Sequence, residues 1–261
     1  PDDGWRATVQ HFDWPFDYKR SIENGIDAAH NEYVHPTHSY SGERDTVVPA
    51  PKLEYTDWGV GFFGEREAPP LPDKKMREAS GREEDAVIRG GTGHHGVSCL
   101  WTYIHPTPEM CIHQYLFETP IDAGNTSLYL VNLRNFLLTE NDDERMMGRN
   151  EVVATQDRDV LVDVRPVETP ENMLHEYFVP SDGAVGAYRA RLKEWEARGW
   201  RIDCDEVERN RRKVAYAIPS PARRAEKGWI LDAIPLLPAN PGAAAAESAA
   251  AAESDNTRLG A

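Results

Sequence analysis

The stretch "ENGIDAAHNEYVHPTHS", residues 23–39, brings Asp27, His30 and His35 into one short segment. A helix is predicted from Ser21 to about His35, because Ser21 can cap its first turn. Apolar residues recur through this segment at helical spacing: Ile22, Ile26, Ala29 and Tyr33. The segment is either a metal site or a polar helix that happens to hold histidines.

Helical geometry sets a condition on the metal interpretation. Asp27 and His30 are three residues apart and share one face of a helix, whereas His35 lies about 140° around from His30. Pro36 follows His35 and biases it away from the helical conformation. Both imidazoles therefore reach one ion only if the helix ends or distorts near His35.

Two further polar groups raise the prospect of a metal site. Asn24 lies one turn before Asp27 and places an amide on the same stripe as His30. A carboxylate at Asp27 can hold a ligand imidazole in the required tautomer. A histidine pair at this spacing also occurs by chance, so the segment alone leaves both interpretations open.

The composition excludes several functional classes. The chain of 261 residues carries 29 Lys and Arg against 44 Asp and Glu, a net charge of −15, so we expect no nucleic-acid partner. No apolar run approaches the roughly 20 residues of a membrane helix, so we expect no membrane association. The three cysteines are scattered, which suits a reducing compartment, and a cytoplasmic location is expected.

The remaining sequence predicts an α+β fold. Strand-like runs alternate with turns from Thr46 to Phe136, and residues 5–18 form an aromatic-rich segment that leads into the first helix. One helix is predicted from Thr139 to about Val164, and another from Ser181 to Gly199. An antiparallel sheet flanked by helices follows from this order. Residues 1–238 are expected to form one catalytic domain, followed by an Ala-rich disordered tail at residues 239–261.

The segment that contains the histidines resembles the iron-binding signature of the catalytic domain of Rieske-type non-haem iron oxygenases. That signature reads E-N-x-x-D-x-x-H-x-x-x-x-H, and it is matched without a gap by Glu23, Asn24, Asp27, His30 and His35. The spacing is similar to the branch that contains vanillate demethylase, dicamba monooxygenase and pheophorbide a oxygenase.

The resemblance implies a third ligand, an Asp on a long C-terminal helix. "TQDRDVLVDV", residues 155–164, supplies Gln156 and Asp157 in the family's setting, so the implied ligands are His30, His35 and Asp157. Asp159 and Asp163 are competitors, although Asp159 points about 200° away from Asp157 on a helix.

Two more stretches extend the resemblance, which covers residues 5–238. "FETPIDAGNTSLYLVNLRNF", residues 117–136, resembles a strand pair of the family, and residues 216–238 resemble the end of the same branch. The implied structure is a helix-grip (START/Bet v1-like) fold, in which a curved antiparallel sheet packs on long helices.

The resemblance also implies a reaction. A mononuclear Fe²⁺ would use O₂ to hydroxylate or oxidatively demethylate an aromatic or polycyclic small molecule. Electrons would pass from NAD(P)H through a ferredoxin or flavin reductase to a Rieske [2Fe–2S] centre of the same or a neighbouring subunit of a homotrimer. The carboxylate of Asp27 would bridge that centre to His30, and Asn24 would support the site.

The chain departs from the family pattern in one respect. A Rieske cluster needs a C-x-H and a C-x-x-H pair. Only Cys111 and His113 have the first spacing, and no C-x-x-H occurs, so the cluster is expected outside this segment. The first residue is Pro1, and we expect a Rieske domain to precede it.

Other histidines have simpler interpretations, and two rival functions remain open. His94 and His95 lie in a Gly-rich segment that predicts a turn. His38 is a candidate neighbour of the iron. A helix-grip domain can also bind ligands without catalysis. The same three ligands can hold zinc in a hydrolase.

Overall fold

The computed structural model describes most of the chain in two compact units, residues 1–188 and 189–261. The described residues are 4–35, 48–67, 74, 78, 87–170, 173–174, 176–217 and 231–239. The candidate residue His38 and nearly all of the expected tail lie outside them. The single domain of residues 1–238 stays a prediction.

A seven-stranded antiparallel sheet dominates the first unit, with strand order β1-β7-β6-β5-β4-β3-β2. The strands are β1 (Arg6–Trp14), β2 (Glu54–Thr56), β3 (Gly59–Glu67), β4 (Val87–His95), β5 (Cys99–His105), β6 (Ile112–Asp122) and β7 (Asn125–Arg134). β2 and β3, and also β6 and β7, are adjacent along the chain and pair as hairpins.

The structure contains strands at two places where the sequence did not predict them. The aromatic-rich segment of residues 5–18 contains β1, which pairs with β7 along its whole length. The Gly-rich segment with His94 and His95 is the end of β4 and not a turn. Glycines are needed there because a Cβ on Gly93 would lie 2.6 Å from a ring carbon of Trp101 on the next strand.

The helices of the first unit cover one face of this sheet. They are α1 (Tyr18–Ile26), α2 (His30–Val34) and α3 (Glu140–Leu161), and α4 (Gly183–Ala197) begins in this unit after a 3-10 turn at Pro180–Asp182. The large antiparallel sheet packed against helices confirms the predicted α+β class. None of the described helices is both long and apolar enough to span a membrane.

The predicted single helix from Ser21 to His35 is wrong, because the structure contains two short helices. α1 starts earlier, where Asp17 accepts the Lys19 N–H, and it stops at Ile26. Asp27 has an extended backbone, with φ −71° and ψ 118°. Its carboxylate accepts the Ala29 N–H at 2.8 Å, which is the competition with helical hydrogen bonding that Asp side chains offer.

Charged side chains hold the first turns of α3 on the sheet. Asp143 accepts hydrogen bonds from Arg6 of β1 at 2.7 Å and from the fully buried Arg134 of β7 at 2.5 Å. The hydrogen bond from Arg6 is the main cause that lowers the pKa of Asp143 to about 2. Removing one member of such a group would leave a buried charge uncompensated.

An amide network continues this attachment toward the middle of α3. Asn150 donates to Gln10 Oε1 at 3.0 Å and accepts from Gln114 at 3.2 Å. Gln114 also donates to Asn132 Oδ1 at 3.0 Å, so β1, β6 and β7 all connect to one helical residue. The register of α3 over the sheet is therefore fixed by directional bonds as well as by apolar contact.

The second unit has little regular structure in its described part. α5 (Cys204–Arg209) is capped by Asp203, and two-residue strands β8 (Tyr216–Ala217) and β9 (Asp232–Ala233) pair in parallel. Gly199 has φ +76°, a left-handed conformation that suits the residue after a helix. The predicted end of the preceding helix at Gly199 is thus two residues beyond its observed end at Ala197.

Glu118 of β6 is buried beneath α1. Ser21 donates to its Oε1 at 2.6 Å, and its Oε2 has no hydrogen-bond partner among the described residues. Burial is the main cause that raises the pKa of Glu118 from 4.5 to about 8, and the charge of Asp157 adds to it. The carboxyl group is therefore protonated in the folded protein at neutral pH.

The raised pKa makes stability depend on pH. Folding favours the protonated form, so the contribution of Glu118 is complete below pH 4.5 and is lost as the pH rises through about 8. The variant Glu118→Gln stays neutral, and we expect its free energy of unfolding to rise relative to the wild type by about 3–5 kcal/mol between pH 5 and pH 9. Urea unfolding at several pH values measures this difference.

A control substitution isolates the effect of burial. Glu54→Gln removes one negative charge from an exposed position on β2 and should change stability equally at both pH values. A difference between Glu118→Gln and the wild type that does not vary with pH would contradict the assignment.

Candidate metal centre

The C-terminal end of α1 lies directly on the sheet. A Cβ on Gly25 would come within 2.2 Å of a methyl carbon of Leu100 on β5, so any larger residue would have to displace that side chain. Thr92 of β4 donates to the Gly25 carbonyl at 2.9 Å. These contacts fix where α1 ends and direct the following residues toward α3.

The break between α1 and α2 orients the first imidazole. Nδ1–H of His30 donates to the main-chain carbonyl of Asp27 at 2.7 Å, which leaves the Nε2 lone pair free to bind. The sequence-based expectation gave this hydrogen bond to the carboxylate of Asp27, and that detail is wrong. Burial lowers the pKa of His30, so the ring is neutral, as a metal ligand requires.

The second imidazole is held by a side chain of α3. His35 is 1% exposed, and its Nδ1–H donates to Oε1 of Gln156 at 2.9 Å. Its backbone is extended, with φ −113° and ψ 91°, as predicted for a residue before proline. Burial lowers the pKa of His35, but the hydrogen bonds to Asp157 and Gln156 outweigh burial and raise it.

The carboxylate of Asp157 faces both imidazoles. Its Oδ1 lies 3.1 Å from Nε2 of His35 and 4.0 Å from Nε2 of His30. Asn24 of α1 donates to the same oxygen at 2.8 Å. The structure therefore brings together four of the predicted site residues: Asn24, His30, His35 and Asp157.

The donor set suits a divalent ion of the first transition row. One atom each from His30, His35 and Asp157 lie within 4.8 Å of one another. Cis donors about 2.1 Å from an octahedral ion are about 3.0 Å apart. The 3.1 Å separation agrees with this value, whereas the 4.0 Å separation is about 1 Å longer and would have to shorten on metal binding. Two imidazoles and one carboxylate on one face are typical of non-haem iron sites with open positions.

Asp27 takes a different position from the three donors. Its carboxylate caps the start of α2 through Ala29, and burial raises the pKa of this group. It contacts the imidazole of His30 through its main chain. Asp27 is therefore a neighbour of the site that is not placed to bind the same ion.

A cavity of about 170 Å³ opens beside the three donors, between the sheet and α3. Most of its wall is apolar and includes Phe12, Leu100, Ile104, Leu116, Leu130 and Met146. Gln114 and Asn150 of the amide network add polar groups to this wall. Small-molecule sites commonly combine an apolar lining with a few fixed polar groups.

The other candidates from the sequence do not join the site. Asp159 has a 62% exposed side chain that accepts from the adjacent Arg158, so it points away from Asp157 as predicted. His94 is fully buried, accepts the Val60 N–H through Nε2 and contacts the Gly96 carbonyl through Nδ1. Both ring nitrogens of His94 therefore form hydrogen bonds to main-chain groups of the sheet and of the residues after β4.

One functional neighbour was missed by sequence reasoning. Gln156 appears in the "QD" pair but received no role, although it fixes the tautomer of His35. The position of Gln156 directly before Asp157 could have indicated this role. Two consecutive residues of one helix can contact the two nitrogens of the same imidazole, as Gln156 and Asp157 do with His35.

Comparison with known proteins agrees with this architecture. Residues 14–198 match the family model for the vanillate O-demethylase oxygenase C-terminal domain. No curated protein matches the chain significantly.

Several solved structures share the fold. Caffeine-bound NdmA of Pseudomonas putida CBB5 has a TM-score of 0.58 at 17% identity, over 76% of this chain and 54% of that chain. Dicamba monooxygenase bound to dicamba has a TM-score of 0.56 at 16% identity, over 75% of this chain and 59% of that chain. The chain thus matches only a little over half the length of these proteins.

The family match spans most of the sheet and helices, including both segments that meet at the metal centre. The chain therefore belongs to the vanillate O-demethylase oxygenase C-terminal domain family, the catalytic domains of Rieske-type oxygenases.

Proposed function

We propose that this chain is the catalytic part of an O₂-dependent oxygenase that hydroxylates or oxidatively demethylates an aromatic or polycyclic small molecule. His30, His35 and Asp157 would hold one Fe²⁺, and a Rieske [2Fe–2S] centre outside this segment would supply electrons. The observation that carries the proposal is the convergence of these three side chains at the wall of an apolar cavity.

The bound ion would supply open coordination positions at which O₂ is activated beside the substrate. The residues of this chain prepare that chemistry. Gln156 and the Asp27 carbonyl each accept an imidazole N–H, so both Nε2 lone pairs point to one place. Asn24 holds the carboxylate of Asp157 in position, which reduces the reorganisation needed on metal binding.

The cavity selects the class of substrate. Its mostly apolar side chains favour a compact molecule and exclude water from the reacting carbon, and Arg149 adds one cationic residue to the lining. Gln114 and Asn150 offer amide groups for one or two polar substituents, and their shared hydrogen bond fixes their orientation. Aryl ethers and N-methylated heterocycles fit this chemistry, and their hydroxylated methyl groups would leave as formaldehyde.

We propose that Asp27 has a separate role, in electron transfer. In the family, the implied partners are a Rieske domain of the same or a neighbouring subunit of a homotrimer, and a reductase that uses NAD(P)H. The carboxylate of Asp27 lies beside His30 without binding the ion, and we propose that it contacts a Rieske histidine. Asp27 would then connect the two centres through the short segment that holds His30.

A direct assay tests the proposed reaction. The chain joined to its Rieske domain, with a reductase and NADH, is supplied with aryl methyl ethers and N-methyl heterocycles. We expect O₂ uptake coupled to formaldehyde release. Ligand binding without either product, or activity that persists with zinc in place of iron, would support a carrier or a hydrolase instead.

Loss of the carboxylate ligand should remove iron. We expect Asp157→Ala to lose most of its bound Fe²⁺, because two imidazoles alone hold iron weakly, and elemental analysis measures the loss. Asp159→Ala removes an exposed acid two residues away on α3 and should keep full iron. Full iron content in Asp157→Ala would refute the ligand assignment.

Asn24 should act through the carboxylate that it orients. Asn24→Ala is expected to weaken Fe²⁺ binding roughly 10–100-fold while it leaves the fold intact. Competition with a chelator, together with a circular dichroism spectrum, measures both quantities. An unchanged iron affinity would show that the 2.8 Å hydrogen bond to Asp157 has no part in binding.

Asp27 should affect electron transfer more than iron binding. Asp27→Asn keeps a side-chain oxygen for the Ala29 N–H and removes only the charge, so we expect iron to remain. With the Rieske domain present, single-turnover oxidation of the reduced cluster should slow by at least about tenfold. Normal oxidation rates in this variant would contradict the bridging role.

A further inference from the structure

A second group of metal-binding side chains lies on the opposite face of the sheet. Ile104 of β5 and Ile112 of β6 pair across the strands and face the cavity side. Side chains alternate along a strand, so the neighbours of these residues point to the other face. His105, Cys111 and His113 are those neighbours, and all three are half-buried.

The spacing of these side chains matches a tetrahedral ion. Nε2 of His105 and Nε2 of His113 face each other at 3.2 Å. Two nitrogens bound at 2.0–2.1 Å in a tetrahedron are about 3.3 Å apart. The Cys111 sulfur completes a set of three donor atoms that lie within 4.8 Å of one another.

The surrounding structure fixes the position of the cysteine. The side chain of Asn135 accepts the Cys111 N–H at 2.7 Å and donates to the Glu109 carbonyl at 2.6 Å. This clamp joins the β5–β6 connection to the residue that follows β7. Tyr103 lies beside His113, with ring centroids 4.2 Å apart, and Trp5 covers another side of His113 at 5.2 Å.

We propose that His105, Cys111 and His113 form a second metal site, separate from the iron site, that binds Zn²⁺ or a similar borderline transition ion. A thiolate with two imidazoles selects such ions over Mg²⁺ and Ca²⁺, which prefer oxygen ligands. The thiol of Cys111 loses its proton to solvent on binding, and the fourth position holds water or an external ligand. The ion would cross-link the end of the β5–β6 pair at which residues 106–111 connect the two strands.

Co²⁺ distinguishes this site from the iron site, because only the second site offers a thiolate. In the full chain we expect one equivalent of Co²⁺ to produce thiolate-to-cobalt charge-transfer absorption, and Zn²⁺ to displace it. Cys111→Ser should abolish this absorption. Cys99→Ser should keep it, since Cys99 is a half-buried cysteine on the same face of β5 but is not in the cluster.

A measurement on the wild-type chain covers the case in which Cys111→Ser does not fold. Zn²⁺ should slow alkylation of Cys111 by at least about tenfold and leave the exposed Cys204 unaffected. Absence of the charge-transfer absorption, its persistence in Cys111→Ser, or alkylation of Cys111 at the same rate with Zn²⁺ would overturn the proposal. In that case the 3.2 Å contact is an ordinary hydrogen bond between the two imidazoles.

Discussion

Two hydrogen bonds from imidazole N–H groups orient the two histidines of the candidate metal centre. His30 donates to the main-chain carbonyl of Asp27, and His35 donates to the side chain of Gln156. Each bond fixes the orientation of its ring and turns Nε2 toward Asp157. Because one acceptor belongs to a broken helix and the other to α3, the site exists only while these two elements keep their relative position.

The fold maintains that position by polar contacts at several levels of α3. Asp143 is bound to Arg6 and Arg134 near the start of the helix, and Asn150 is bound to the sheet through Gln10 and Gln114. Beyond these anchors, Leu161 at the end of α3 belongs to an apolar cluster that includes Trp14, Phe16 and Leu128. Asp157 lies between the amide network and this cluster, so its direction is constrained on both sides.

Much of this arrangement follows from sequence pattern. The spacing of Asp27, His30 and His35 left a metal segment as one of two interpretations, and the resemblance to the iron-binding signature favoured it. The long helix that carries Asp157 was predicted to within a few residues. The strands β5, β6 and β7 were recognised from their β-branched and aromatic residues. The helix and the strands are local features, and each depends on propensity or periodicity within one element.

The features that sequence reasoning missed depend on contacts between elements. The helix break at Asp27 arises from an aspartate that caps the next helix, whereas periodicity favoured one continuous helix. The end of β4 was predicted as a turn because glycines are unusual in strands, although Gly93 makes room there for the ring of Trp101. Gln156 and the outer-face group around Cys111 became visible only when strand and helix neighbours were placed together.

We propose that one ferrous ion binds where His30, His35 and Asp157 converge. Crystals of the iron-loaded protein, with anomalous diffraction data collected at the iron edge, test it most directly. We expect one strong peak within bonding distance of Nε2 of His30, Nε2 of His35 and the carboxylate of Asp157. A peak elsewhere, or no peak at this place in a fully iron-loaded crystal, would contradict it.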